Sequence, residues 1–179
     1  ALGEAVERYC ANWCPPDRKL LFGTYNELTA QGVRALDPAR LEYYSQDQYT
    51  SPGFPYSEFT RDSPANWIRG WSHTQGTELW VPAFTAYVKW HLLHSTPEPR
   101  YVSPIIAGIS AGQTPDAARC NALEEVIERD ATMVWWSNDP RLASLPGTAD
   151  IDQLSADVAA HYEHNFIYLE NEFDVPVIG

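Results

Sequence analysis

Asn121-Ala-Leu-Glu-Glu-Val-Ile-Glu-Arg-Asp130 is the stretch from which the rest of the chain is best read. Glu125 and Glu128 stand three residues apart, which on an α-helix places both carboxylates on one face about one turn apart, with Arg129 directly after the second. The chain opens on the same device: Ala1-Leu-Gly-Glu-Ala-Val-Glu-Arg-Tyr9 carries Glu4, Glu7 and Arg8 in the same spacing. One such pair beside an arginine is ordinary charge mixing on a solvated helix face. Two copies behind a shared Ala-Leu flank are a duplicated element and ask for a common role.

Four glutamates gathered from two helices repel one another at neutral pH unless cations sit between them. An all-oxygen donor set suits Mg²⁺ or Ca²⁺, and Mg²⁺ typically takes a few carboxylates and completes its shell with phosphate oxygens and water. Arg8 and Arg129 carry the planar fork that matches phosphate. Working outwards, Pro104-Ile-Ile-Ala-Gly-Ile-Ser-Ala-Gly112 is a small-residue, apolar run that lets the backbone pass close to something. Thr114 is placed to cap a helix that Pro115 begins. Its apolar positions run through Ala118, Ala122, Leu123, Val126 and Ile127 to Trp135-Trp136, and Asn138-Asp-Pro140 stops it. Ser110 and Gln113 sit where the run meets the helix N-terminus, a place that favours an anionic ligand.

Elsewhere the pattern predicts a helix over residues 1–13, ended by Pro15-Pro16, and a second amphipathic piece from Leu20 into Leu28. A short helix is expected over Pro38 to Tyr44, with Asp37 as its cap. From Ser45 to Asn66 the chain is polar, aromatic and proline-punctuated, and reads as a long loop. Trp67–Trp71 and Thr77–Val81 flank a short Gly-containing link and predict a β-hairpin that Pro82 closes. Ala83 to Leu93 fits strand or helix equally. A helix over Asp150 to about His164, a strand over Asn165–Leu169 and the start of another at Val175–Ile178 complete an α+β chain, with mixed helices and β-sheet.

Composition limits the function. The chain has 179 residues and is 44% hydrophobic with seven Trp and ten Tyr, enough for one domain with a sizeable core. A net charge of −12 argues against a nucleic-acid or anionic-membrane surface, and no stretch approaches a membrane span. Cys10, Cys14 and Cys120 cannot all pair within one chain. They read as reduced thiols in a cytoplasmic protein, with Cys10 and Cys14 structural and at least half-buried. Ala1 falls inside a helical pattern and the last residues resemble a strand cut short, so a piece of a larger protein is expected.

Several chemistries are disfavoured. Neither a Walker-type G-x-x-x-x-G-K-[ST] nor a Rossmann G-x-G-x-x-G occurs, and no Glu-x-x-His supports a di-iron bundle. His91-x-x-His94 and His161-x-x-His164 have zinc-like spacing without a third ligand beside them, so surface histidines are preferred. Gly108-Ile-Ser-Ala-Gly112 fits the letters of a hydrolase elbow. His161 or His164 after Asp139, Asp150 or Asp152 would have to complete that triad, and the order does not single one out.

Taken together, Ala1–Tyr9, the Gly-Ile-Ser-Ala-Gly-Gln-Thr114 turn, Ala-Leu-Glu-Glu-Val-Ile-Glu-Arg-Asp-Ala131 with Trp135-Trp136, and Asp174-Val-Pro-Val177 resemble the YcaO family, in the family's order. The resemblance implies that residues 1–179 are part of a single YcaO-like domain, without the N-terminal segment and C-terminal half of longer members. It implies an ATP- and Mg²⁺-dependent enzyme that activates a peptide backbone amide. In azoline-forming members a Cys, Ser or Thr attacks the amide to give thiazoline or oxazoline in heterocycle and bacteriocin biosynthesis, and other members form thioamides or amidines. By motif, Glu4, Glu7, Glu125 and Glu128 are implied Mg²⁺ ligands, and Ser110, Gln113 and Arg129 nucleotide contacts, with Arg8 beside them. The family commonly has a further Glu where this chain has Ala117, with Asp116 adjacent. Implied partners are a precursor peptide, a leader-peptide-binding protein and a second copy in a homodimer. A peptide-binding scaffold without catalysis is the competing reading, motivated by the aromatic loop and the acidic surface.

Overall fold

The computed structural model describes residues 2–93, 97–104, 106–138, 168–169 and 177–178. The chain divides into two compact units, Ala1–Ile106 and Ala107–Gly179. The first is built on a three-stranded antiparallel sheet, β1 (Leu20–Gly23), β2 (Ala65–Ser72) and β3 (Thr77–Pro82), in the order β1-β2-β3. The predicted hairpin is β2 and β3, in register from Ser72 opposite Thr77 to Trp67 opposite Pro82. Alternation along β2 sends Ala65 and Trp67 into the core. The Trp67 indole also donates to the Gly23 carbonyl at 2.9 Å, locking β1 against β2.

The expected piece from Leu20 into Leu28 is instead two elements. Thr24 breaks it with a reciprocal cap: its hydroxyl accepts from Glu27 N while the Glu27 carboxylate accepts from Thr24 N. The residues before become β1 and those after become α2 (Tyr25–Ala30). The helix expected over Pro38 to Tyr44 is only a 3₁₀ turn, Pro38–Arg40, although Asp37 does cap it by accepting from Ala39 N. The expected long loop contains α3 (Gln46–Thr50), held by a Ser45/Gln48 capping box, and its end, Ala65–Asn66, is already strand. The loop's aromatics pack on Tyr44 just before it, which stacks on Tyr56 and meets Tyr49 and Phe54 edge-on.

Ala83–Leu93 resolves into two short helices, α4 (Ala83–Ala86) and α5 (Trp90–Leu93). α4 drives Phe84 into a ring cluster with Phe59 and Tyr101, at centroid separations of 5.2 and 5.4 Å. Such pairs contribute about 0.5–1.5 kcal/mol beyond the area they bury. The helix at the start of the chain, α1, runs Leu2–Ala11 rather than to residue 13. The carbonyl of Ala11 accepts from Val88 N at 3.1 Å, and Trp13 lies in the turn beyond, its N–H bonded to Cys10 O. All three cysteines are free. Cys14 is buried as expected, whereas Cys10 is exposed, because α1 buries only Ala11.

In the second unit the predicted long helix is α6, Pro115–Asn138. Thr114 caps it, its hydroxyl accepting from Ala117 N at 3.1 Å. The strands β4 (Tyr168–Leu169) and β5 (Val177–Ile178) pair antiparallel, Leu169 opposite Val177. Ala131, Leu169 and Val177 form a small core with Ile127 and Trp135 packed on it. The helical contributors are spaced i, i+4, i+8, one stripe of α6. The helix expected over Asp150 to His164, and His94, His161 and His164, lie outside the described residues. Among the described residues no helix is long and apolar enough to cross a membrane.

Candidate functional site

Five of the eight expected site residues stand on the second unit, at one turn-to-helix junction. Gly108 has φ +83°, a left-handed conformation that L side chains rarely adopt. The turn there brings its N–H to the Glu125 carboxylate, 3.3 Å from Oε2. Two residues past Ser110, a Cβ on Gly112 would lie 2.4 Å from Ala118 N, so only glycine lets the run cross the first turn of α6. Asn121 clips the arrangement by donating from Nδ2 to Ala111 O at 3.0 Å. What the small-residue run passes close to is therefore the N-terminus of α6 itself.

The junction gathers Ser110, half-buried, and Gln113, exposed, with Glu125, which is turned partly inward at 22% side-chain exposure. Glu128, one turn further along α6, is exposed. Arg129 is also exposed, its Nε 3.9 Å from Glu125 Oε1, a weak i,i+4 pair in water. Asp116, adjacent to the position where an acid is expected, is exposed and engaged by Arg119. A glutamate with one oxygen on a backbone N–H and the other beside an exposed arginine retains lone pairs for a cation.

On the first unit, α1 holds the other three. Arg8 Nη2 lies 2.8 Å from Glu4 Oε1 and 3.8 Å from Glu7 Oε1, so one guanidinium bridges both carboxylates of the pair. Glu7 is the more enclosed, at 13% side-chain exposure against 60% for Glu4. Arg8 Nη1 is buried with no hydrogen-bond partner. An uncompensated guanidinium N–H beside a carboxylate pair is what a phosphate oxygen would satisfy, and the all-oxygen donor set suits a hard divalent cation. In neither unit do the described residues gather three or more His, Cys, Asp or Glu side chains as a metal site. Each helix offers two carboxylates.

One buried acid escaped sequence reasoning. Glu98 is 7% exposed. Its carboxylate accepts from Asn66 N, from Asn66 Nδ2 at 3.0 Å and from the Trp90 indole N–H, with His91 Nδ1 4.0 Å away. Burial pushes its carboxyl above the ordinary range, against the pull of those donors. Burial first, and then the charge of Arg100, hold His91 below its ordinary value. The only signal in the sequence was Pro97-Glu-Pro99, an acid fixed between two prolines, which reads first as a chain break.

All 179 residues match the family model described as YcaO cyclodehydratase, ATP- and Mg²⁺-binding. No curated protein matches the chain. Among solved structures it is similar to a heterocyclase in complex with substrate and cofactor, with TM-score 0.79 and 23% identity, covering 99% of this chain and 25% of that one. The heterocyclase TruD is similar with TM-score 0.76 and 22% identity, covering 99% and 27%. YcaO from Methanopyrus kandleri bound with AMPPCP and Mg²⁺ is similar with TM-score 0.62 and 19% identity, covering 95% and 37%. At these identities the likeness is one of fold, and the chain spans about a quarter to just over a third of the length of those proteins.

Proposed function

The chain belongs to the YcaO family, and from that membership we propose that its residues form part of the ATP- and Mg²⁺-dependent site of an enzyme that activates a peptide backbone amide. The reaction we assign is cyclodehydration of Cys, Ser or Thr to thiazoline or oxazoline in a ribosomally made peptide. On this reading residues 1–179 are part of one YcaO-like domain of a cytoplasmic enzyme. That enzyme takes a precursor peptide, works with a leader-peptide-binding partner and pairs as a homodimer.

The observation that carries the reading is the glycine-built junction that holds Glu125 against Gly108 N while keeping Ser110 and Gln113 beside it. Bound Mg²⁺-ATP supplies the phosphoryl group that turns an amide oxygen into a leaving group. Glu125 and Glu128 on α6 would offer carboxylate oxygens to Mg²⁺, and on α1 Glu4 and Glu7 are a second such pair. The Ser110 hydroxyl and the Gln113 amide would donate towards a bound nucleotide, and the N-terminus of α6 would favour its negative charge. Arg129 would balance that charge beside the α6 junction, and on α1 Arg8 offers its unsatisfied Nη1 to a phosphate oxygen.

Mass spectrometry of a Cys- or Ser-containing peptide, incubated with a protein carrying this chain, its partner and Mg²⁺-ATP, tests the reaction. Loss of one water per modified residue is expected. Replacement of oxygen by sulfur would assign thioamide formation instead, and an unchanged peptide with intact ATP would favour a scaffold.

A further inference from the structure

The first unit contains a cavity of about 170 Å³ that the proposed nucleotide site does not use. Its walls are Phe84, Val88, Trp90 and Val102, with Lys89, His91 and Arg100 also lining it. Two properties set it apart from a packing defect. The first is charge. In a chain of net −12, two cationic side chains converge on one small apolar hollow, and among the described residues neither Lys89 nor Arg100 has an ion-pair partner. Both are exposed, so their charges stand at the rim above aromatic and aliphatic walls. The second is an unsatisfied polar atom. His91 Nε2 is buried without a hydrogen-bond partner, a state that buried polar groups seldom keep unless something else supplies the bond.

Size selects the ligand. An apolar cavity of about 150 Å³ accepts one benzene-sized ring, so this one takes a single ring or a branched aliphatic group and little more. A cationic rim over such a hollow complements a molecule that is apolar at one end and anionic at the other. A carboxylate also suits the planar guanidinium fork of Arg100. We infer that this cavity is a binding site for a carboxylate carried on one small apolar or aromatic group, with Arg100 and Lys89 holding the carboxylate and Phe84, Val88 and Trp90 enclosing the group. Such chemistry is offered by a free small acid and by the C-terminal residue of a peptide. Val88, one wall, donates its N–H to Ala11 O at the end of α1, so the site shares a backbone bond with the helix that carries Glu4 and Glu7.

Titrating the ¹⁵N-labelled chain with phenylacetate, phenylacetamide and N-acetylphenylalanine, followed by amide chemical shifts, tests this. Saturable shifts on Val88–Leu92 and Arg100–Val102 are expected with phenylacetate, and binding about tenfold weaker for the uncharged phenylacetamide. Arg100→Gln and Lys89→Gln, at exposed positions that leave the core intact, should each weaken phenylacetate while leaving the amide spectrum otherwise superimposable. If N-acetylphenylalanine binds as well as phenylacetate, the site accepts a peptide C-terminus. If only phenylacetate binds, it takes free acids. The inference is overturned if phenylacetate gives no saturable shifts there, or if acid and amide bind alike and neither substitution matters.

Discussion

Glu98 is a charged side chain buried among the described residues. Three N–H donors from β2 and α5 converge on a carboxylate shut inside the core, tying the segment after α5 to the sheet. Glu98→Ala would leave the Asn66 amide and the Trp90 indole N–H unpaired in the interior, and should destabilise by about 3 kcal/mol, read from urea denaturation at pH 7. Its pH dependence has a definite sign. Because burial raises the folded pKa above the unfolded value, the stability linked to this group is fully present at low pH and is lost as pH rises through the folded pKa. Glu98→Gln should lack that decline. Asp37 works in the opposite sense. The Arg61 guanidinium, 2.6 Å away, and the backbone N–H of Ala39 hold its carboxyl down at about 2. Its contribution is therefore present above the ordinary carboxylate range and lost as pH falls towards 2. A denaturation series from pH 2 to pH 7 should show the acid limb flattened in Asp37→Asn. The sequence showed only the local cap at Asp37, because the partners Asn66 of Glu98 and Arg61 of Asp37 lie 32 and 24 residues away.

At the scale of elements, local chemistry wrote clear boundaries wherever it was strong. The hairpin of β2 and β3 followed from aromatic and β-branched runs around a glycine, and Thr114-Pro115 marked the start of α6. Strand β1 was hidden because Leu20-Leu-Phe22 is a short continuous apolar run, which periodicity cannot tell from a helical segment. Its end was written all the same, in the Thr24-x-x-Glu27 box, as α3 was in Ser45-x-x-Gln48. The turn onto α6 gives two graded tests. Thr114→Ala removes one cap bond and should cost about 1 kcal/mol of stability in thermal or urea unfolding. Gly112→Ala should be more damaging, since a Cβ 2.4 Å from Ala118 N forces the turn off the helix. The Gly108 N–H would then lose the Glu125 carboxylate, and Mg²⁺-ATP affinity should fall together with stability.

Across the whole molecule, the eight expected site residues fall three on the first unit and five on the second, each group on or beside one helix. The candidate site was legible to this extent because the E-x-x-E-R repeat is local: helix periodicity alone places each pair on one face. What the sequence could not express is how Glu125 is held by a turn 17 residues earlier, or where buried Glu98 lies. These depend on tertiary contacts that no local pattern encodes. The proposal that the α6 carboxylates hold Mg²⁺-ATP is tested by calorimetric titration of Mg²⁺-ATP into a protein carrying this chain, with Glu125→Gln and Glu128→Gln alongside. Gln keeps an acceptor for Gly108 N while removing the charge that binds the cation, so circular dichroism should be unchanged. The predicted result is affinity weakened by at least about a hundredfold in each variant, since even partners behind the ligands are typically worth 10–100-fold. Unchanged affinity in both variants would contradict the claim.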